Sequence, residues 1–217
     1  MIRFLPLDLP IFPHKQKVLD EFKPDTDFYF WKEEYISEWD LNEPLHAPAR
    51  LRPVHTELVD WIKQYLPFES ITLLKLLRAN KDVAAHVDDS YTAYRGPKDN
   101  CRLITEEYRA HQLATEPCGY RMIIAGDRQS LYLSDGAPSV VDGQLVYDSI
   151  TTKRYCKVPE TTDSFVLKSY GSMHGVDRTP GDDNRLLVFV IGWLDAARHQ
   201  ELIKRSEEVY HDYVHYA

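Results

Sequence analysis

Two histidines, a carboxylate and an arginine define the chemistry this chain can do. His86-Val87-Asp88 is followed about ninety residues later by His174 and then, eleven positions on, by Arg185. In an extended strand residues i and i+2 leave the same face of the backbone while i+1 points away, so His86 and Asp88 can converge on one ion. Two imidazoles and one carboxylate make a three-ligand face that holds a divalent iron and leaves positions open for a cosubstrate and oxygen. Arg185 adds a planar, permanently charged fork suited to the far carboxylate of a dicarboxylate cosubstrate. A bare His-x-Asp arises often by chance, and buried histidines and strand-end arginines have ordinary structural uses. It is the four residues together, at compatible separations, that point to a site.

The elements that must position these groups are short strands. Residues 71–77 are strand-like, and after the turn signal Asn80-Lys81-Asp82 the run Val83-Ala84-Ala85 leads into His86, which places the His-x-Asp pair near the start of a short strand. Further on, a strand runs to about Tyr170, His174 sits on the next short element, the Pro180-Gly181-Asp182-Asp183-Asn184 cluster turns the chain, and Arg185 opens an apolar strand reaching Trp193. Strands are also expected over 120–125, 130–134, 139–147 with Asp142-Gly143 as a tight turn, 154–158 and 165–169. Residues 3–12 read as a strand, 28–31 as an apolar and aromatic run, and 44–53 as a loop. Residues 55–66 read as a helix with Leu58, Trp61, Ile62 and Tyr65 on one face, ended by Pro67. A helical tail is expected over 196–215; its His211 and His215 have metal-pair spacing but no third ligand, and read as solvated. The fold class expected is mainly β with flanking helices, seven or eight strands in two antiparallel sheets forming a double-stranded β-helix (jelly roll, cupin-like) whose mouth can hold a metal and a small molecule. One domain over 1–217 is expected, with its core at about 70–195 and the helical tail at 196–217.

These stretches resemble the Fe(II)/2-oxoglutarate-dependent oxygenase superfamily, and within it the aspartyl/asparaginyl β-hydroxylase type. Three segments carry the resemblance: His86-Val87-Asp88, the strand Tyr120-Arg121-Met122-Ile123-Ile124-Ala125-Gly126, and His174 through Trp193 with Gly175-Val176 directly after the histidine. The resemblance implies iron binding by His86, Asp88 and His174, binding of the 2-oxoglutarate C-5 carboxylate by Arg185, and a second cosubstrate contact from Arg121. It implies Fe(II), 2-oxoglutarate and O2 as cofactor and cosubstrates, with hydroxylation of an aliphatic C–H of a free amino acid or a protein residue. Two departures stand out. The animal aspartyl hydroxylases lack the carboxylate ligand, whereas Asp88 resembles the fuller triad of the wider superfamily and favours hydroxylation over the chlorination of relatives with a small residue there. The stretch 89–117 is also longer than the connection expected. This polar insertion is a candidate lid, in which Tyr91, Tyr94, Arg95 and Arg102 are candidate substrate contacts, with Lys153, Arg154 and Tyr155 as further groups at the mouth. The alternative is that 105–113 forms a surface helix filling one end of the barrel.

Composition is consistent with this picture. A chain of 217 residues with 43% hydrophobic and 12% aromatic content is the size of one domain with a substantial core. No run of eighteen apolar residues exists, and Pro6 and Asp8 interrupt the N-terminal apolar stretch, so a soluble cytoplasmic protein with no membrane partner is expected. The net charge of −8 disfavours a phosphate-tracking surface, hence a nucleic-acid substrate, and leaves a small molecule or a protein side chain. Cys101, Cys118 and Cys156 are an odd set at wide spacing, which indicates free thiols in a reducing compartment rather than a disulfide framework or a zinc site. Two readings from other classes compete. A cupin-type isomerase or dioxygenase without 2-oxoglutarate usually presents His-x-His and a distant acid, so Asp88 and Arg185 speak against it. A catalytically silent jelly-roll binding module would show a missing ligand, and all are present.

Overall fold

The computed structural model describes residues 1–21, 28–31, 56–78, 82–87, 106–135, 139–141, 144–146, 152–168, 172–177 and 185–217. Its elements in chain order are β1 (Ile2–Pro6), α1 (Lys15–Glu21), β2 (Phe28–Trp31), α2 (Thr56–Tyr65), β3 (Phe68–Arg78), β4 (Val83–His86), α3 (Glu106–Ala114), β5 (Gly119–Ala125), β6 (Leu131–Ser134), β7 (Ser139–Val141), β8 (Gln144–Val146), β9 (Lys153–Tyr155), β10 (Ser164–Leu167), β11 (His174–Val176), β12 (Leu186–Leu194), α4 (Ala196–Val209), a 3₁₀ turn (His211–Tyr213) and β13 (His215–Tyr216). A seven-stranded sheet runs β13-β1-β10-β5-β12-β3-β2, a four-stranded sheet runs β4-β11-β6-β9, and β7 and β8 make a separate hairpin. All the strand pairings are antiparallel.

The apolar run of β12 follows from its place inside the large sheet, where both faces are covered. Leu186, Val188 and Val190 face one core with Leu74, Leu76, Tyr120 and Met122 of neighbouring strands and Leu58, Ile62 and Leu202 of the helices. Leu187 and Phe189 point the other way, into a second core with Phe4, Ile123, Phe165 and Leu167 of the large sheet and Leu131 and Leu133 of the small one. The second core therefore lies between the sheets, and the site is built on its wall. Helix α2 buries Leu58, Trp61 and Ile62, the face its spacing predicts.

Several boundaries differ from the sequence expectation. Strand β1 stops at Pro6 rather than running to residue 12, because Pro6, Pro10 and Pro13 carry no N–H for a ladder; a short helix, α1, follows. The tail helix, capped by Asp195 whose carboxylate accepts from the Ala197 and Arg198 amides, ends at Val209. The chain then returns as β13 alongside β1, so His211 and His215 do not share a helix. Strand β9 covers 153–155 only. The helix expected as the alternative for 105–113 is α3, which packs on the end of β12: Tyr108 donates to the Gly192 carbonyl at 3.2 Å and His111 Nε2 accepts from the Leu194 amide at 2.9 Å. No described helix is long and apolar enough to cross a membrane.

Candidate metal centre

His86 is the last residue of β4 and His174 the first of β11, and the two are direct partners in the antiparallel ladder. Their rings lie 4.6 Å apart at 50°. His86 thus closes its strand instead of sitting near the start, as the sequence suggested. The register shifts immediately behind the pair, since Val176 is opposite Val83, so two residues of β4, Ala84 and Ala85, oppose the single Gly175. Such a bulge kinks its strand and re-aims the next side chain; here it lets His86 share a face with His174. That face looks into the inter-sheet core, because His174 also pairs with Leu133 and alternates in phase with Val176, which packs on that core.

The reverse face is packed as tightly. Ala85, Met173 and Tyr132 form a small buried cluster with Val87 against it. Tyr132 lies across Gly175 so closely that a Cβ there would fall 2.3 Å from the phenol oxygen and 2.7 Å from the Val83 carbonyl. The phenol reaches the far strand, where it takes the backbone hydrogen bond of Ala85 inside the bulge, and burial raises its pKa. Neither Gly175 nor Tyr132 stood out as structural in the sequence, because their roles depend on a bulge that the pattern Val-Ala-Ala-His does not reveal.

His174 is 3% exposed, and its Nδ1 lies 3.0 Å from the Ser172 carbonyl. A carbonyl only accepts, so Nδ1 carries the proton and Nε2 keeps its lone pair, the state a metal-ligating imidazole needs. This donor set fits a divalent metal of the iron to zinc series. Among the described residues no group of three His, Cys, Asp or Glu side chains is placed to hold an ion. The third ligand expected, Asp88, lies outside the described residues, as do Tyr91, Tyr94, Arg95 and Arg102.

The large sheet contributes two buried arginines. Arg121 (7% exposed) pairs in register with Phe165 and Phe189 and holds its guanidinium 4.6 Å from the Phe189 ring centroid. It shares a strand face with Ile123 and so looks toward the small sheet. Arg185 (5% exposed) stands directly before β12, in phase with Leu187 and Phe189. Gly126, at φ 90°, passes so close that a Cβ would fall 2.5 Å from the Arg185 Cα. Both guanidiniums have other interactions, yet Arg121 Nη1 and Arg185 Nε and Nη1 are buried with donor capacity to spare.

The other groups named from the sequence divide between the two faces of the small sheet. Lys153 and Tyr155 both bind the Asp177 carboxylate, at 2.7 and 2.5 Å, on the reverse face beside Tyr132. Arg154, opposite Leu133, shares the sheet face of His174, and Asp135 binds it at 2.6 Å. Cys118 and Cys156 are free, with thiols pushed up to about 12 by burial, which removes them as nucleophiles; Cys101 lies outside the described residues. No family model, curated protein or solved structure matches this chain.

Proposed function

We propose that this chain is an iron(II)- and 2-oxoglutarate-dependent oxygenase, built on a double-stranded β-helix, that hydroxylates an aliphatic C–H bond of a free amino acid or a protein residue. The observation that carries the reading is the His86–His174 pair: two imidazoles side by side on the wall of the inter-sheet core, with Nε2 of His174 kept as an acceptor. Strand order supports the fold. The outgoing strands β3, β4, β5 and β6 are interleaved by the returning β9, β10, β11 and β12, with β12 between β3 and β5 and β11 between β4 and β6. Two-ply winding of this kind supports the jelly-roll reading.

His86, Asp88 and His174 are the residues that would hold the iron. When bound, iron with oxygen and 2-oxoglutarate supplies the oxidant for C–H hydroxylation, the cosubstrate leaving as succinate and carbon dioxide. The chain's own part is to bind, orient and exclude. Arg185, buried in a low-dielectric wall, would pair with the far carboxylate of the cosubstrate in a charge-assisted fork and so fix which end faces His174. Arg121, steadied on Phe189, adds a second positive charge for the same dianion. Leu133, Ile123, Leu187 and Phe165 keep water from the space between.

Equilibrium dialysis against iron(II) without oxygen tests the reading. One ion per wild-type chain, less in His86→Ala and His174→Ala, and retention of 2-oxoglutarate that needs both iron and Arg185 are the expected results. Metal uptake without retention of 2-oxoglutarate would replace the proposal with a cupin-type metalloprotein. A folded chain that takes up no metal would leave a binding module.

A further inference from the structure

Arg3 lies far from the candidate centre in sequence, yet it makes four contacts where β6 ends and the strand carrying His174 begins. Its Nη2 donates to the Ser134 carbonyl at 2.8 Å and the Met173 carbonyl at 3.2 Å, its Nε donates to Ser172 Oγ at 3.2 Å, and its Nη1 meets Asp135 Oδ1 at 3.2 Å. The residue is 6% exposed. Asp135 is fixed in turn by Arg154 at 2.6 Å and Thr152 at 3.2 Å.

We infer that Arg3 is a positioning residue for the metal centre, holding the Ser172–Met173 peptide so that the Ser172 carbonyl keeps His174 in its metal-binding tautomer; this rests on the metal-centre reading above. Arg3 grips the side chain on one side of that peptide and the carbonyl of the residue after it. The Ser134 amide binds the same Met173 carbonyl at 3.0 Å, so β6 and Arg3 clamp it together. The Ser172 carbonyl is then left aimed at His174 Nδ1, 3.0 Å away. A peptide free to rotate could turn that carbonyl off the ring, and an imidazole without a fixed acceptor at Nδ1 can carry its proton on Nε2, where it blocks ligation.

The fold places Arg3 for this work. Ile2 pairs with Tyr216 and Phe4 with His215, so Arg3 is the extra residue of a bulge in β1. A bulge turns a side chain away from its regular direction, and this one delivers a large-sheet arginine to two turns of the small sheet. The Arg3 carbonyl is meanwhile held by the Lys168 amide at 2.8 Å, and β1 is laced to β10 through Phe4, Leu5 and Pro6. A rigid donor fork is thus anchored in one sheet and spent on the other. A lysine could reach one carbonyl but could not bridge Ser172 and Met173 as the fork does.

Cobalt(II) is the probe, titrated into wild type, Arg3→Met and Arg3→Lys, with thermal unfolding of the metal-free proteins measured beside it. Loss of such an outer-shell partner is expected to weaken cobalt binding by about tenfold to a hundredfold in Arg3→Met, with partial recovery in Arg3→Lys. Imidazole-labelled ¹⁵N spectra of the metal-free protein should show His174 as the Nδ1–H tautomer in wild type and a shift toward Nε2–H in Arg3→Met. A brace between sheets alone would lower the melting temperature and leave tautomer and cobalt affinity unchanged; that result overturns the inference. Should Arg3→Met fail to fold, Arg3→Lys carries the same comparison. Failure of wild type itself to bind cobalt overturns the metal-centre reading, and the inference with it, and so is distinguishable from cobalt binding that is indifferent to Arg3.

Discussion

Gly175→Ala is the smallest change that should disturb the candidate centre without touching a ligand. The added methyl would sit 2.3 Å from Tyr132 Oη, 2.5 Å from its Cζ and 2.7 Å from the Val83 carbonyl. Carbon contacts relax only near 3.5 Å, so the phenol must move by about 1 Å or more. It cannot do so freely, because its oxygen serves the Ala85 amide within the bulge. Overpacking of this kind costs about 1–3 kcal/mol, and leaving a buried amide unpaired costs about 1–3 kcal/mol more, so a loss of about 2–6 kcal/mol is expected. For a chain of this size that is a fall of about 10 °C in melting temperature. Tyr132→Phe, which loses only the hydrogen bond, should cost about 1–3 kcal/mol. The alanine should cost less in a Tyr132→Ala background, where the ring is gone and only the Val83 carbonyl remains in the way. Since Ala85 precedes His86, cobalt affinity should fall alongside stability in Gly175→Ala. A Gly175→Ala protein that melts within about 2 °C of wild type would refute the argued role of the Tyr132 brace.

Other predictions concern the frame around the site. His199 is buried against the Tyr120 hydroxyl at 2.7 Å, and burial lowers its pKa from 6.5 to about 4. The unfolded chain therefore takes up a proton below pH 6.5 that the native state refuses until about pH 4; stability should drop through that window by up to about 3 kcal/mol, and urea denaturation should show a smaller drop in His199→Gln. Arg128→Met takes one of two cations from Asp163, whose side chain is 1% exposed, and leaves Lys15 as its remaining described ion-pair partner. It also removes donors from the Val158, Pro159 and Thr162 carbonyls; calorimetry should find a loss of about 3–5 kcal/mol. Thiol labelling at pH 8 followed by peptide mapping should leave Cys118 and Cys156 unmodified in the native protein and modify both after unfolding.

Some of this was legible because the signal is local. The apolar period of 55–66 gave α2, and the apolar run after Arg185 gave the strand β12. His86 and His174 were readable as partners only through their residue types; that they face each other depends on a one-residue bulge that no local pattern encodes. Arg3 was invisible for a related reason. In Ile-Arg-Phe-Leu-Pro it is one polar residue at the start of an apolar strand, and its role emerges only when β1 bulges and lies near the entrance to β11. The tail misled because its helical period fades gradually, while the pairing that turns its end into β13 is made with residues two hundred positions away. Lys153 and Tyr155 look like mouth residues by their polarity, but strand alternation puts them with Tyr132 on the reverse face, where Asp177 satisfies both.

The most direct measurement is anaerobic titration of the iron-loaded protein with 2-oxoglutarate, followed through the weak visible charge-transfer band, in wild type and Arg185→Ala. A band in the wild type that needs about tenfold or more additional cosubstrate in the variant, as expected when a charge-assisted pair is lost, is the predicted result. Stoichiometric iron with no band in the wild type would contradict the account.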